Sequence, residues 1–213
     1  EPTDGGLTLD GRPLTAEGLG RRIDAELASV GVTPAASTQV AAPTAAADHL
    51  PTGEPVRIRV APRGPHGYRG RLTRTFVVDS EGGWERRAFI AAEAGLRAAK
   101  RHIDPGVDVA TVEGEAVAEV GAYGFAVAPD EQTTEARAVG TVHGVGLSTY
   151  EPPARGSESE LRPGSVIAVE TGVVDPQRGS VRIGTLVGVS EQGAETLVDY
   201  PFSLSPVDRV DAD

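Results

Sequence analysis

The sequence predicts an α+β fold with an antiparallel sheet. Segments whose apolar residues recur at helical spacing cluster in the first half of the chain, the clearest of them at 84–103 and 109–121. From residue 122 onward the chain turns into short strand-like runs such as AVGTVHGVGL and SVRIGTLVGVS. Grouped helices and grouped strands favour α+β over alternating βαβ units. A nucleotide-binding loop is not expected, because the glycines at 140–146 lack the order G-x-G-x-x-G.

Three helices are predicted from apolar spacing and end signals. The first lies between Thr15, a suitable N-cap, and Gly31, a suitable stop. The second covers 84–103 and is ended by the Asp-Pro-Gly that follows it. The third covers 109–121 and closes near a glycine. These helices supply apolar faces that a sheet can bury.

A hairpin is predicted over 56–78. The run VRIRV alternates apolar residues with Arg57 and Arg59, and LTRTF alternates again, with the turn-rich PRGPHG between them. Because successive side chains of a strand point to opposite faces, both arginines are expected on the face away from the core. A short additional strand is expected around 39–42.

Length and composition fit one domain. A chain of 213 residues can bury a substantial core without staples, and we expect a domain over 1–205 followed by an acidic tail at 206–213. There is no cysteine, which excludes disulfides, thiolate zinc sites and cysteine nucleophiles. The chain begins at Glu1 and has no methionine, so we expect a processed chain or part of a longer protein with an upstream domain.

Charge indicates the class of partner. The net charge is −11, which disfavours binding to nucleic acid and to anionic membranes. Lys100 is the only lysine, and the abundance of Asp, Glu, Ala and Gly is typical of a salt-adapted, halophilic protein or of a GC-rich genome. No apolar run approaches the ~20 residues that span a bilayer, and no signal-peptide pattern is present. We expect a cytoplasmic protein with no membrane or nucleic-acid partner.

Four stretches carry a family resemblance. They occur in the family's order and at roughly its spacing: GEPVRIRVAPRGPHGYRGRLTRTFVV (53–78), VHGVGLSTYEPP (142–153), ELRPGSVIAVETGVV (160–174) and GSVRIGTLVGVSEQGAETL (179–197). Together they resemble the pita-bread metallopeptidases, which include Xaa-Pro aminopeptidase, prolidase and methionine aminopeptidase, with creatinase as a metal-free relative. The resemblance implies a curved antiparallel sheet flanked by helices.

The resemblance also implies five metal ligands, namely two Asp, one His and two Glu, which hold two divalent cations that activate water. At the matching positions this chain has Arg59, Arg71, His143, Glu170 and Gly184. Four carboxylates are thus reduced to one, and two arginines are added. Each pair of unit charges at ~4 Å is worth about 4 kcal/mol at an effective dielectric of 20, so this change opposes cation binding. We expect neither a metal site nor another cofactor.

Two outcomes are open for the arginines. Arg59 or Arg71 could form an ion pair with Glu170, which would otherwise be buried without a counter-charge. Alternatively, the guanidinium groups could form an anion pocket, because their planar forks suit carboxylate and phosphate.

Three further residues belong to the candidate pocket by resemblance. Tyr150 stands where the family has a second histidine, and Arg182 is retained before the last glutamate position. His49 lies near the place where the family often carries a substrate-facing histidine, although the surrounding loop is shorter. His143 is expected to be a satisfied pocket histidine rather than a catalytic base, since no nucleophile or orienting acid is identified beside it.

We therefore expect a degenerate Xaa-Pro aminopeptidase-like or prolidase-like protein, a pseudoenzyme whose pocket binds a peptide, a small anion or a protein partner. A homodimer is also expected, because dimers are common in the family. One alternative is a metal-independent, creatinase-like hydrolase that uses His143 and Glu170. A second alternative is an ordinary metal-dependent aminopeptidase, against which the replaced ligands argue.

Overall fold

The structure is a computed structural model that describes residues 2–3, 6–34, 38–43, 49–127 and 135–206. In chain order its elements are β1 (Pro2–Thr3), β2 (Gly6–Leu9), β3 (Arg12–Pro13), α1 (Ala16–Ser29), β4 (Gln39–Ala41), β5 (Val56–Val60), β6 (Leu72–Phe76), α2 (Trp84–Arg101), α3 (Val109–Gly121), β7 (Arg137–Gly144), β8 (Val166–Asp175), β9 (Gly179–Ser190) and β10 (Gly193–Thr196).

A seven-stranded antiparallel sheet organises the fold. Its order is β4-β5-β6-β9-β8-β7, and β10 pairs with β9. A small sheet of β1, β2 and β3 lies at the start of the chain. The predicted α+β class and antiparallel sheet are confirmed. The predicted hairpin is the β5–β6 pair, in which Arg59 lies opposite Thr73.

The helices begin where local chemistry provides a cap. The Thr15 hydroxyl accepts a hydrogen bond from the backbone N–H of Gly18 at 2.9 Å, and the Asp108 carboxylate accepts one from Thr111 at 2.6 Å. After α1 the chain turns at Gly31, whose φ of 83° suits a residue without a Cβ. Helix α2 ends two residues before the predicted 103, at Arg101.

The main core lies between the helices and one face of β7, β8 and β9. Alternate strand residues enter it, including Val169, Val173, Val181 and Ile183, all almost completely buried. The helices α2 and α3 approach closely at Gly95, which has no Cβ. A Cβ at this position would lie only 2.6 Å from the Val120 side chain. Alternation then directs the intervening strand residues to the opposite face of the sheet.

Two sequence-based expectations concern membrane-spanning helices and the acidic C-terminal tail. Within the described ranges no helix is long and apolar enough to cross a membrane. The predicted acidic tail lies outside the described residues, except for Pro206.

Candidate functional site

The candidate site lies on the sheet face opposite the helices α2 and α3. It is built by strands that are distant in sequence but belong to the same sheet, in which β6 and β9 lie between β5 and β8. The side chains that these strands contribute are Arg57, Arg59, Thr73, His143, Glu170 and Arg182.

Glu170 is the centre of the site and is 5% exposed. Arg59 donates from Nη2 to Oε1 at 2.8 Å and to Oε2 at 2.9 Å. The Thr73 hydroxyl donates to Oε2 at 2.7 Å, and Arg182 donates from Nη1 to Oε1 at 2.9 Å. Of the two arginines expected to pair with Glu170, Arg59 does so and Arg71 does not. Arg182 is the second cation of the cluster.

These partners keep the Glu170 carboxyl ionised. Burial alone would raise its pKa, but the charge of Arg59, the Thr73 hydrogen bond and Arg182 together lower the pKa to about 2. At neutral pH the group is a carboxylate whose two oxygens are both occupied by donors. In that state it is a poor proton donor or acceptor.

Gly184 lies beside this carboxylate. It is opposite Glu170 on one side and opposite Thr73 on the other. A Cβ at Gly184 would lie 3.2 Å from the Glu170 Cβ and 3.1 Å from the Val169 carbonyl oxygen. A carboxylate side chain at position 184 would therefore lie next to Glu170. Because residue 184 is glycine, no second carboxylate is present there.

His143 is buried and held in one orientation. Its Nδ1 lies 3.0 Å from the Gly144 carbonyl oxygen, which fixes the proton on Nδ1 and leaves Nε2 as the acceptor. Burial lowers the pKa of His143, and Arg71 and Arg59 lower it further, against the opposing effects of the Gly144 hydrogen bond and Glu170. His143 is therefore a neutral imidazole at pH 7.

Tyr150 covers both His143 and Arg71. The Tyr150 and His143 rings lie 4.3 Å apart at an interplanar angle of 34°. Arg71 donates from Nη2 to the Tyr150 hydroxyl at 3.2 Å, and its Cζ is 5.1 Å from the ring centroid. Tyr150 itself is 60% exposed. It thus forms a rim between this buried pair and solvent.

The segment that carries Tyr150 is fixed by its own backbone. Gly144 and Glu151 pair across it, with the Glu151 N–H donating to the Gly144 carbonyl at 2.9 Å. The Glu151 carboxylate accepts from the Ser148 N–H at 2.7 Å and lies against Gly146, where a Cβ would collide with it. A Cβ at Gly144 would collide with the backbone of Glu151 and Pro152, so this close backbone approach requires a glycine.

Sequence reasoning missed Arg57 and Thr73 as site residues. The signal was present for both, because period-two alternation places Arg57 on the same face as Arg59 and aligns Thr73 opposite Arg59. Arg57 is half-buried, and burial lowers its pKa, with Arg182 and Arg59 adding to the effect against Glu170.

His49 packs against the N-terminal segment of the chain. It contacts Gly6 in the N-terminal segment, where a Cβ would collide with the imidazole. Among the described residues, no hydrogen bond or ion pair joins His49 to His143 or Glu170. Its place in the pocket remains a prediction.

The donor set can be tested against a divalent metal. Hard cations and zinc are bound by carboxylate, imidazole or thiolate groups, with at least three protein ligands in most catalytic sites. Across the described part of the chain, no three or more His, Asp or Glu side chains are grouped to hold a metal ion. Glu170 is instead surrounded by guanidinium and hydroxyl donors. The residues present do not fit a dinuclear metal centre.

Fold and site together define a pita-bread domain, in which an antiparallel sheet carries helices on one face and a histidine–glutamate pair on the other. The chain belongs to metallopeptidase family M24, whose family profile matches residues 18–191. The prolidase from Pyrococcus horikoshii OT3 has the same fold, with a TM-score of 0.76 over 90% of this chain and 56% of that one, at 24% identity. Family and fold class predicted from the four stretches are confirmed.

Two curated relatives place the chain among prolidase-like and Xaa-Pro peptidase-like proteins. The probable dipeptidase PepE of Mycobacterium tuberculosis is 30% identical over 143 residues, which is 65% of this chain and 35% of the relative. The Xaa-Pro dipeptidase of Pyrococcus furiosus is 32% identical over 135 residues, or 61% of this chain and 36% of the relative. The match thus spans about a third of the length of these relatives.

Proposed function

We propose that this protein is a prolidase-like member of the family in which an arginine–glutamate cluster replaces the dinuclear metal centre. The observation that supports this most directly is the saturation of Glu170 by Arg59, Arg182 and Thr73. A carboxylate whose oxygens already accept from two guanidinium groups and a hydroxyl has little capacity left to ligate a dication.

Local charge supports the same proposal. Arg57, Arg59, Arg71 and Arg182 surround Glu170 and the neutral His143, so four positive charges face one negative charge. A divalent cation placed ~4 Å from one such group would be opposed by roughly 8 kcal/mol at an effective dielectric of 20. On this proposal the arginine-rich face binds a peptide, a small anion or a protein partner, without metal-activated water.

Hydrolysis of X-Pro dipeptides tests this function. Purified protein is incubated with Ala-Pro and Met-Pro, with and without added Mn²⁺ or Co²⁺, and released proline is measured. The Pyrococcus furiosus Xaa-Pro dipeptidase serves as the positive control for the assay. We expect no metal-stimulated release. Turnover that requires Mn²⁺ or Co²⁺ would contradict the proposal.

A second candidate function rests on the tautomer of His143. Because Nδ1 donates to the Gly144 carbonyl, Nε2 is an acceptor and could act as a general base without metal. This candidate is a creatinase-like hydrolase of small substrates that contain a C–N bond. Activity on creatine-like or X-Pro compounds that survives a chelator and disappears in His143→Ala would support it over the binding function.

A further inference from the structure

Like Arg71, which instead donates to the Tyr150 hydroxyl, Arg57 is a charged group of the site that the ion pairs leave out. It precedes Arg59 by two residues on β5 and lies opposite Thr75 and Ala41, which places it on the same sheet face as Glu170. In the described part of the chain it makes no hydrogen bond or ion pair. A half-buried guanidinium without a protein partner is available to an anionic or polar ligand.

Charge around Glu170 is not balanced by the protein groups that reach it. Arg71 is set apart from this group, because its Nη2 donates to the Tyr150 hydroxyl. The remaining Arg57, Arg59 and Arg182 carry three positive charges, and Glu170 carries one negative charge, which leaves an excess of two. Burial lowers the pKa of Arg57, and the like charges of Arg182 and Arg59 lower it further against Glu170. The whole chain has a net charge of −11, so this local excess is opposite in sign to the rest of the molecule.

Some hydrogen-bond donors of Arg59 and Arg182 are also unpaired among the described residues. The Nε atoms of Arg59 and Arg182 are buried and have no acceptor among the described residues. Buried N–H groups are almost always paired, so each such donor points to an acceptor. A compact oxyanion offers several acceptor oxygens at once and suits the planar fork of arginine.

We propose that Arg57, together with Arg59 and Arg182, forms a binding site for a doubly charged phosphate-type oxyanion. Phosphate carries about −1.5 to −2 charges at pH 7, which matches the excess of two, whereas a carboxylate would neutralise only half of it. The ligand is inorganic phosphate or the terminal phosphate of a monoester. This inference rests on the proposed function, because the site replaces a metal centre.

Isothermal titration calorimetry on the whole chain tests the site, with 1 mM EDTA at pH 7.5. Inorganic phosphate, phenyl phosphate and acetate are titrated separately. We expect binding of at least one phosphate compound with a stoichiometry near one, and acetate affinity at least tenfold weaker. Preference for phenyl phosphate identifies a monoester ligand, and preference for inorganic phosphate identifies the free ion. Absence of phosphate binding would overturn the proposal.

Variants assign the binding to Arg57. Arg57→Gln should raise the dissociation constant for phosphate at least tenfold, whereas Arg57→Lys, which keeps the charge, should raise it less. Arg86 on α2 is exposed, so Arg86→Gln is the matched control for charge and should stay within twofold of the wild type. Circular dichroism verifies the fold of each variant. Equal affinities in Arg57→Gln and Arg86→Gln would overturn the assignment.

Repeating the titration without EDTA separates the two proposals. Phosphate binding that occurs only after loading with Mn²⁺ and disappears with EDTA would contradict both the metal-free function and the arginine site. Failure of phosphate to bind a protein that also lacks metal would contradict only the arginine site.

Discussion

Arg59 on β5 and Glu170 on β8 form an ion pair across the two intervening strands of the sheet, with Nη2 at 2.8 and 2.9 Å from the two carboxylate oxygens. Both side chains are shielded, being 17% and 5% exposed. The pair joins two halves of the sheet at the place where the family resemblance puts metal. The free energy that this ion pair contributes to folding therefore bears on the proposal that it stands in place of a metal centre.

Removing the arginine should destabilise the protein. In Arg59→Gln, Glu170 keeps Arg182 and Thr73 but loses its two contacts with Arg59, so we expect a loss of about 1–3 kcal/mol in the free energy of unfolding. Urea denaturation at pH 7 measures it. The exposed Arg86→Gln is the control, with an expected change within 0.5 kcal/mol. A loss no larger than in this control would contradict the structural role of the pair.

The ion pair also predicts acid sensitivity. The pKa of Glu170 is lowered from 4.5 to about 2 in the folded protein, so the unfolded state binds more protons as the pH falls. The contribution of Glu170 is therefore complete above about pH 5 and is lost as the pH falls towards 2. It amounts to on the order of 3 kcal/mol.

Denaturation between pH 6 and 3 checks this dependence. The slope of stability against pH should be shallower in Glu170→Gln, which cannot titrate, than in the wild type. Equal slopes in the two proteins would show that Glu170 does not have a depressed pKa.

His143 should titrate below the usual range of a histidine. Because burial lowers its pKa in the folded state, the unfolded state binds more protons at mildly acidic pH, and this group contributes a loss of stability as the pH falls below about 6.5. Histidine ring NMR signals followed from pH 8 to 5 give the pKa directly. Assignment uses His143→Gln, and an ordinary pKa for the signal lost in this variant would contradict the buried, neutral imidazole.

Removing the Tyr150 ring should raise the pKa of His143. Tyr150→Ala removes the ring that lies 4.3 Å from the imidazole and exposes His143 to water, which relieves the effect of burial. Tyr150→Phe keeps the ring and is the matched control. The same NMR titration should show a higher pKa for His143 in Tyr150→Ala than in Tyr150→Phe. Identical values would mean that Tyr150 does not shield the site.

Carboxylates at the family's ligand positions should create affinity for metal. The triple variant Arg59→Asp, Arg71→Asp and Gly184→Glu replaces two positive charges with three negative charges beside His143 and Glu170. We expect it to bind Mn²⁺ in equilibrium dialysis at least tenfold more tightly than the wild type, because carboxylates are the ligands that such cations prefer. A folded triple variant with unchanged Mn²⁺ affinity would contradict the assignment of these three positions.

Sequence periodicity predicted much of the site's framework. Alternation over 56–60 placed Arg59 on the polar face, and ordered motifs supplied His143, Glu170 and the fold class, because strand period and motif order are local properties of the chain. The choice of Arg59 and Arg182, rather than Arg71, as partners of Glu170 was not predicted. It depends on the strand order β5-β6-β9-β8 and on the Tyr150 hydroxyl that engages Arg71.

Metal content tests the central claim most directly. The protein is purified without chelator, exchanged into buffer containing excess Mn²⁺, passed through a desalting column and analysed by inductively coupled plasma mass spectrometry for Mn, Co, Zn and Fe. The arginine–glutamate cluster predicts well below one metal ion per chain. About two metal ions per chain would contradict it.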